Sequence, residues 1–336
     1  MMPHHRNRKK IFETKTKKIK LDRNEYVISY YDTQEDEKGL RNENSNSNKI
    51  IFFIHGNSFS KDIFQYQLLN SKLFINFRLI ALDLPGHGQS DFAKLESVEG
   101  LLAPYSLPFY ASILYEFILK FSFPSNSSYL LCGHSLGGHI VLEYLGLQQK
   151  KQARKRTNHD LQCKGSILIG TPPIRSLEEM NLAFLPNPNL TVAFKELVSL
   201  KEIKEFIDSC FFRKDILENW QLENFYNCFL KTDPRSRSLL LDSLTRGDFL
   251  NEIDIIQEGH SSHYFICGEN DPFINLDFLK KNTGKNSTFI PLIHSGHIPH
   301  YESSEIFNEL FFVICQKMFS LGFVDKNYPL ESNIYF

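Results

Sequence analysis

Short apolar runs punctuate the chain, with helix-like or loop-like stretches between them. EYVISYYD (25–32) alternates apolar and polar positions, the period of a half-buried strand. KIIFFIH (49–55) is almost continuously apolar, as a strand covered on both faces must be. FRLIALD (77–83), YLLCG (129–133), GSILIG (165–170), HYFICG (263–268) and STFIPL (287–292) repeat that pattern. Helical spacing falls at about 106–121, 136–149, 275–281 and 303–320. Buried strands that alternate with helices predict a mostly parallel α/β sheet flanked by helices.

The rhythm lapses between GTPP (170–173) and HYFICG. VAFKELVSLKEIKEFIDSCF and DPRSRSLLLDSL, inside that interval, have helical spacing, and the interval is too long and too structured for a loop. It predicts a helical cap inserted after strand 6. The expected division is a basic N-terminal extension (1–24), a core (25–172 and 258–321), a helical cap (173–257) and a C-terminal tail (322–336).

Charge refines this picture at one end. Arg6, Arg8, Lys9, Lys10, Lys15, Lys17, Lys18, Lys20 and Arg23 crowd the start. They fit a solvated tail and an exposed edge strand, whose lysines deter edge-to-edge pairing; a polyanion contact is the competing reading. A formal net charge of −1 gives no global field toward nucleic acid, so no nucleic-acid partner is expected. No apolar run follows the basic start, so no secretory signal is expected. No uncharged run reaches the roughly 18 residues of a membrane span; FFVICQKMFSLGF (311–323) is broken by Gln316 and Lys317 and reads as an amphipathic helix. Cys132, Cys163, Cys210, Cys228, Cys267 and Cys315 form no CxxC, and several sit in strand-like contexts. Reduced core thiols are expected, and a cytoplasmic protein with them.

Candidate chemistry centres on LLCGHSLGGHIVLEYL (130–145). A sharp turn between a buried strand and a helix lifts one side chain above the sheet edge, and bulky neighbours would clash there. Gly133-His134-Ser135-Leu136-Gly137 therefore reads as a nucleophile elbow presenting Ser135. A serine hydroxyl needs a base, and the base an orienting acid. Asp271 follows HYFICG and His297 follows STFIPL, each just past a predicted strand, in the order serine, acid, histidine. Glu269 reads as peripheral. His294 and His300 flank His297 at intervals of three, but Gly296 and Pro299 argue against one helical face, so neither metal nor cofactor is expected. The N–H of Leu136 and that of Asn57, in the turn His55-Gly56-Asn57-Ser58, are the expected oxyanion donors. In DLPGHGQSD (83–91), Asp83, Gly86 and Gly88 read as fixing a loop beneath the site, and His87 as structural.

HGNS, DLPGHGQSD, GHSLGGH, GENDPF and SGHIPH, in that order, resemble the α/β-hydrolase superfamily over about residues 25 to 321. The resemblance implies the α/β-hydrolase fold, an eight-stranded sheet with a lid, and a Ser135–His297–Asp271 triad. IFFIHGNSFSKDIFQYQL, YSLPFYA, ILIGTPP, KTDPRSRSLL and GENDPFINLDF also look like the metal-independent N-acylhomoserine lactonases of that superfamily. Those enzymes open a lactone ring with a serine triad. Asp271 stands where that group can carry glutamate, and Phe206 where a tyrosine contacting substrate is expected. Phe206, His134 and Ser58 are the expected substrate contacts. The longer loops near 92–104 and 148–163 depart from the pattern.

The implied partner is a small-molecule ester or lactone with an apolar acyl group. Three functions stay open: a lactonase, a general carboxylesterase, and a ligand-binding protein that keeps the fold with vestigial turnover. Oligomeric state is not legible.

Overall fold

The computed structural model describes residues 12–34, 48–95, 100–153, 161–259 and 261–320. Among these, eight strands form one sheet: β1 (Lys15–Leu21), β2 (Asn24–Asp32), β3 (Lys49–Ile54), β4 (Arg78–Leu82), β5 (Ser128–His134), β6 (Gln162–Ile169), β7 (Ser262–Gly268) and β8 (Ser287–Leu292). Their order is β1-β2-β4-β3-β5-β6-β7-β8. β2 runs antiparallel to β1 and β4, and the remaining neighbours pair in parallel. This is the mostly parallel α/β sheet that the apolar runs predict.

Hydrophobic burial explains the central strands. Ile50 through Ile54 are completely buried, because helices cover both faces of β3. On one face lie α1 (Leu107–Leu119) and α2 (Leu136–Ala153), and α9 (Ser304–Ser320) packs elsewhere on the core. Ser106 caps α1 by accepting the N–H of Phe109 at 3.1 Å. β1 differs: it buries Ile19 fully while Lys18 and Lys20, on its other face, are exposed. The sheet thus starts before residue 25, inside the stretch assigned to a basic extension. Lys17 lies 4.1 Å from the Phe121 ring centroid, and Lys18 pairs with Glu25 across the strands at 2.9 Å. Arg6, Arg8, Lys9, Lys10, the 322–336 tail and parts of the two long loops lie outside the described residues.

Between β6 and β7 the described residues form helices: α3 (Leu177–Ala183), α4 (Leu200–Ser209), α5 (Asn219–Lys231), α6 (Pro234–Thr245) and α7 (Glu252–Glu258). Their starts are written locally. Ser199 and Glu202 make a reciprocal capping box on α4. Asp233 caps α6 with Pro234 at its first position. Another helix, α8 (Leu276–Asn282), joins β7 to β8.

Two polar ties seat these helices on the sheet. The N–H of Asp233 is donated to the carbonyl of Gly86 at 2.8 Å, and its carboxylate accepts the Tyr105 hydroxyl at 2.6 Å. Beneath them, the buried Lys61 ammonium meets Asp83 Oδ2 at 2.6 Å, and Asp83 Oδ1 accepts the N–H of Lys61. The loops after β3 and β4 are clamped together in this way.

Candidate active site

β5 delivers Ser135 on a strained turn. Its φ is 51°, a left-handed conformation uncommon outside glycine. The turn is held because the N–H of Ser135 is donated to the carbonyl of Ile169 on β6 at 2.8 Å. Close approach explains the neighbouring glycines. A Cβ on Gly133 would lie 2.4 Å from the carbonyl oxygen of Gly137, and one on Gly137 would lie 2.1 Å from that of Ile54. The helix after the serine can therefore start against the strand only with both side chains absent.

β7 ends at Gly268, and the loop after it supplies Asp271. One carboxylate oxygen, Oδ1, accepts the N–H groups of Phe273 and Ile274 at 2.9 and 3.3 Å. The other, Oδ2, stands 2.8 Å from His297 Nδ1 and accepts the Cys267 thiol at 3.5 Å. Both side chains are almost fully buried. With Nδ1 donating to the carboxylate, the neutral imidazole keeps an unprotonated Nε2, the form a general base requires.

The backbone of His297 is held from two sides. Its N–H is donated to the carbonyl of Cys210, just past α4, at 2.8 Å. Its own carbonyl faces His134 Nε2 at 3.0 Å. Glu302 adds a brace: its carboxylate accepts the N–H of Gly296 at 2.8 Å, that of Phe212 at 3.3 Å and that of Arg213.

Ser135, His297 and Asn57 line one pocket, whose cavity is about 70 Å³. Its other walls are mainly apolar, among them Phe59, Leu107, Phe184, Phe206, Leu244 and Phe273. Leu136 also lines it and is the first residue of α2, so its N–H has no intrahelical acceptor. Gly56 lets the Asn57 loop approach: a Cβ there would sit 3.2 Å from that of Ser135. The Asn57 side chain is committed elsewhere, donating to the carbonyl of Ala193 at 2.6 Å. Its backbone is what remains to serve as a donor.

Two expected substrate contacts do not reach the pocket. His134 and Ser58 are wholly buried and absent from its walls, while Phe206 lines it. His134 is adjacent to Ser135 in sequence but points beneath the turn, toward the His297 loop; Ser58 has a φ of 61° that turns it inward, toward Asn57 Oδ1 at 3.3 Å. The three spaced histidines diverge. His294 is exposed and stacks on Phe212, whereas His300 is buried and stacks on Phe64. Among the described residues no group of three His, Cys, Asp or Glu side chains could hold a metal ion. His87 is buried with Nδ1 on the Pro85 carbonyl, and Glu269 is exposed.

Sequence reasoning passed over His55, Lys61, Cys210 and Glu302. His55 Nε2 accepts the N–H of Leu84 at 3.0 Å, so it ties the loop after β3 to the loop after β4. Its place in the HGN turn was the available signal. Burial drives its pKa down to about 3, keeping the ring neutral.

Comparison with known proteins agrees with this architecture. The sequence model of the alpha/beta hydrolase family matches residues 51–310. The AB hydrolase superfamily protein YisY of Bacillus subtilis (strain 168) is 24% identical over 298 residues, which is 84% of this chain and 97% of that one. A variant of the N-acyl homoserine lactonase AidH, complexed with N-hexanoyl homoserine lactone, superposes with a TM-score of 0.73 at 23% identity; the match covers 92% of this chain and 100% of that one. The esterase RhEst1 from Rhodococcus sp. ECU1013 superposes with a TM-score of 0.68 at 18% identity, over 91% of this chain and 99% of that one. With the family's sequence model spanning most of the chain, this protein, with its mostly parallel eight-stranded sheet, belongs to the alpha/beta hydrolase family.

Proposed function

We propose that the protein is a serine hydrolase of an ester or lactone with an apolar acyl group, with Ser135 as nucleophile, His297 as base and Asp271 as the group that orients it. The observation that carries this is the 2.8 Å His297–Asp271 pair, whose imidazole lines the same apolar pocket as the serine on its strained turn. His297 Nε2 takes the Ser135 proton as Oγ attacks the carbonyl. The N–H groups of Leu136 and Asn57 receive the developing oxyanion. Collapse returns the proton from His297 to the leaving alkoxide and leaves an acyl-enzyme. Water, deprotonated by the same histidine, then releases the acid. In a lactone the alcohol stays tethered, so the product is one molecule heavier by one water.

The apolar walls favour an acyl chain over a polar one. The lactone reading draws on the likeness to AidH, which was crystallised with N-hexanoyl homoserine lactone. A general carboxylesterase is the second reading, supported by the esterase RhEst1.

Purified protein incubated with N-butanoyl homoserine lactone and, separately, with 4-nitrophenyl butyrate tests both. Lactone opened to a single hydrated product favours the lactonase. Ester cleavage with an intact lactone favours the carboxylesterase. No turnover of either, over a range of chain lengths, overturns the hydrolase assignment.

A further inference from the structure

Gly296 stands directly before the candidate base, and a glycine is a swivel, because no Cβ restricts its backbone angles. A side chain cannot lock this position. A Cβ there would lie 2.6 Å from the carbonyl oxygen of Cys210 and 2.7 Å from the backbone nitrogen of Phe212. The loop that carries His297 therefore rests, backbone against backbone, on the turn that leaves α4.

The lock comes from Glu302, a buried residue at the end of the short helix Pro299–Glu302. Its Oε2 accepts the N–H of Gly296 at 2.8 Å and that of Phe212 at 3.3 Å, so one oxygen spans both sides of the seam. Its Oε1 accepts the N–H of Arg213. The next N–H along the loop, that of His297, goes to the Cys210 carbonyl at 2.8 Å. Two successive peptide groups are thus held, and Gly296 cannot turn without breaking one of these bonds.

This mount calls for a carboxylate. Two oxygens without hydrogens can accept all three donors. A glutamine fills the same space but has one acceptor oxygen and an NH2 group, so at least one of the three N–H groups would face another donor. The Arg213 guanidinium points elsewhere, to Asp215 at 4.0 Å, and the three N–H dipoles answer the charge of Glu302. Hydrogen bonds to an ionised acceptor are about twice as strong as neutral ones, which makes the mount stiff.

We infer that Glu302 is a positioning residue for the candidate base: by locking Gly296 it sets where His297 Nε2 stands relative to Ser135 Oγ. It acts through His297 and touches no substrate. The inference rests on the hydrolase assignment above and deepens it.

The test uses 4-nitrophenyl butyrate, with kinetics measured well below the thermal midpoint of every variant. Glu302→Gln is expected to lower kcat about ten- to a hundredfold and to leave KM within about twofold, since His297 moves a proton in both acylation and deacylation. Glu302→Asp keeps the carboxylate but shortens its reach. It is expected to lose less, again in kcat, and it carries the test if the glutamine variant does not fold. The His297→Ala background separates positioning from general support. A residue that acts only through the imidazole has nothing left to position there, so adding the Glu302 substitution is expected to cost less than about twofold more. An equal loss in both backgrounds, an unchanged kcat, or a loss carried by KM alone overturns the inference and leaves the hydrolase standing. Should the wild type turn over neither 4-nitrophenyl nor homoserine lactone substrates over a range of chain lengths, the hydrolase assignment and this inference fall together.

Discussion

His134 Nε2 donates to the carbonyl oxygen of His297 at 3.0 Å, so the residue before the candidate nucleophile holds up the backbone of the candidate base. The donor assignment follows because a carbonyl can only accept. His134→Phe keeps a ring there but leaves that buried carbonyl unpaired. The expected cost is about 1–3 kcal/mol of stability, with a fall in kcat that exceeds any change in KM. Urea midpoints and steady-state kinetics on one preparation check both.

Buried imidazoles make the fold acid-sensitive. Burial pushes His55, His87 and His300 down to about 3 and His263 to about 4, from an ordinary value of 6.5, and holds His134 well below that value too. Each stays neutral when folded and takes up a proton on unfolding below pH 6.5. Stability is therefore complete above about pH 6.5 and is lost as pH falls toward 3–4, by up to about 1.4 kcal/mol per pH unit for each ring. Glu143, pushed up to about 7 mainly by burial, acts in the opposite sense: it is protonated when folded, and cancels one of these protons between about pH 4.5 and 7. Urea midpoints measured from pH 7 down to 5 are expected to fall steadily. A flat profile contradicts the burial of these rings.

Ser135→Ala is expected to leave the thermal midpoint close to that of the wild type and to remove turnover by a factor on the order of 10⁴–10⁶. Asp271→Asn preserves the shape but forfeits the carboxylate that faces Nδ1, and is expected to cost about 10⁴ in kcat. Residual activity above a tenth of wild type in either variant contradicts the assigned roles.

Lys61 and Asp83 are buried to within 1% of complete, so breaking their pair strands a charge. Lys61→Met is expected to cost about 3–5 kcal/mol in chemical denaturation. The double substitution Lys61→Met with Asp83→Asn is expected to cost less than the sum of the two singles.

His300 is completely buried, and among the described residues neither ring nitrogen has a hydrogen-bond partner; its ring stacks 5.0 Å from Phe64. Its polar atoms oppose folding there, so His300→Leu is expected to hold or raise the thermal midpoint, and to leave the candidate base in place. A loss of several degrees contradicts the unpartnered placement.

How much of this was legible in the sequence depends on what each feature writes there. Strands such as Lys49–Ile54 show themselves as unbroken apolar runs because both faces are covered. Ser135, Asp271 and His297 show themselves because each follows such a run. The strand Lys15–Leu21 was harder to see: four lysines, two of them on the face of the one buried Ile19, mask its alternation. Contacts made by backbone leave no residue signature at all, so the Cys210 carbonyl on the His297 N–H could not be read. His134 misled for a simpler reason. Neighbours along a strand end point to opposite sides, so adjacency to the serine placed it in the pocket by sequence and under it in space.

The carbonyl of Cys210 belongs to the helical insertion, yet it fastens the backbone of His297. The insertion thus lends walls to the pocket, among them Phe206 and Leu244, and also braces the candidate base. Loosening it by heat or by surface substitutions would let the imidazole drift before the sheet itself gives way, so catalytic rate becomes a gauge of how well the two parts are seated. A cap transplanted from a relative would need to present its own acceptor at that spot, whatever acyl chain it was chosen to admit.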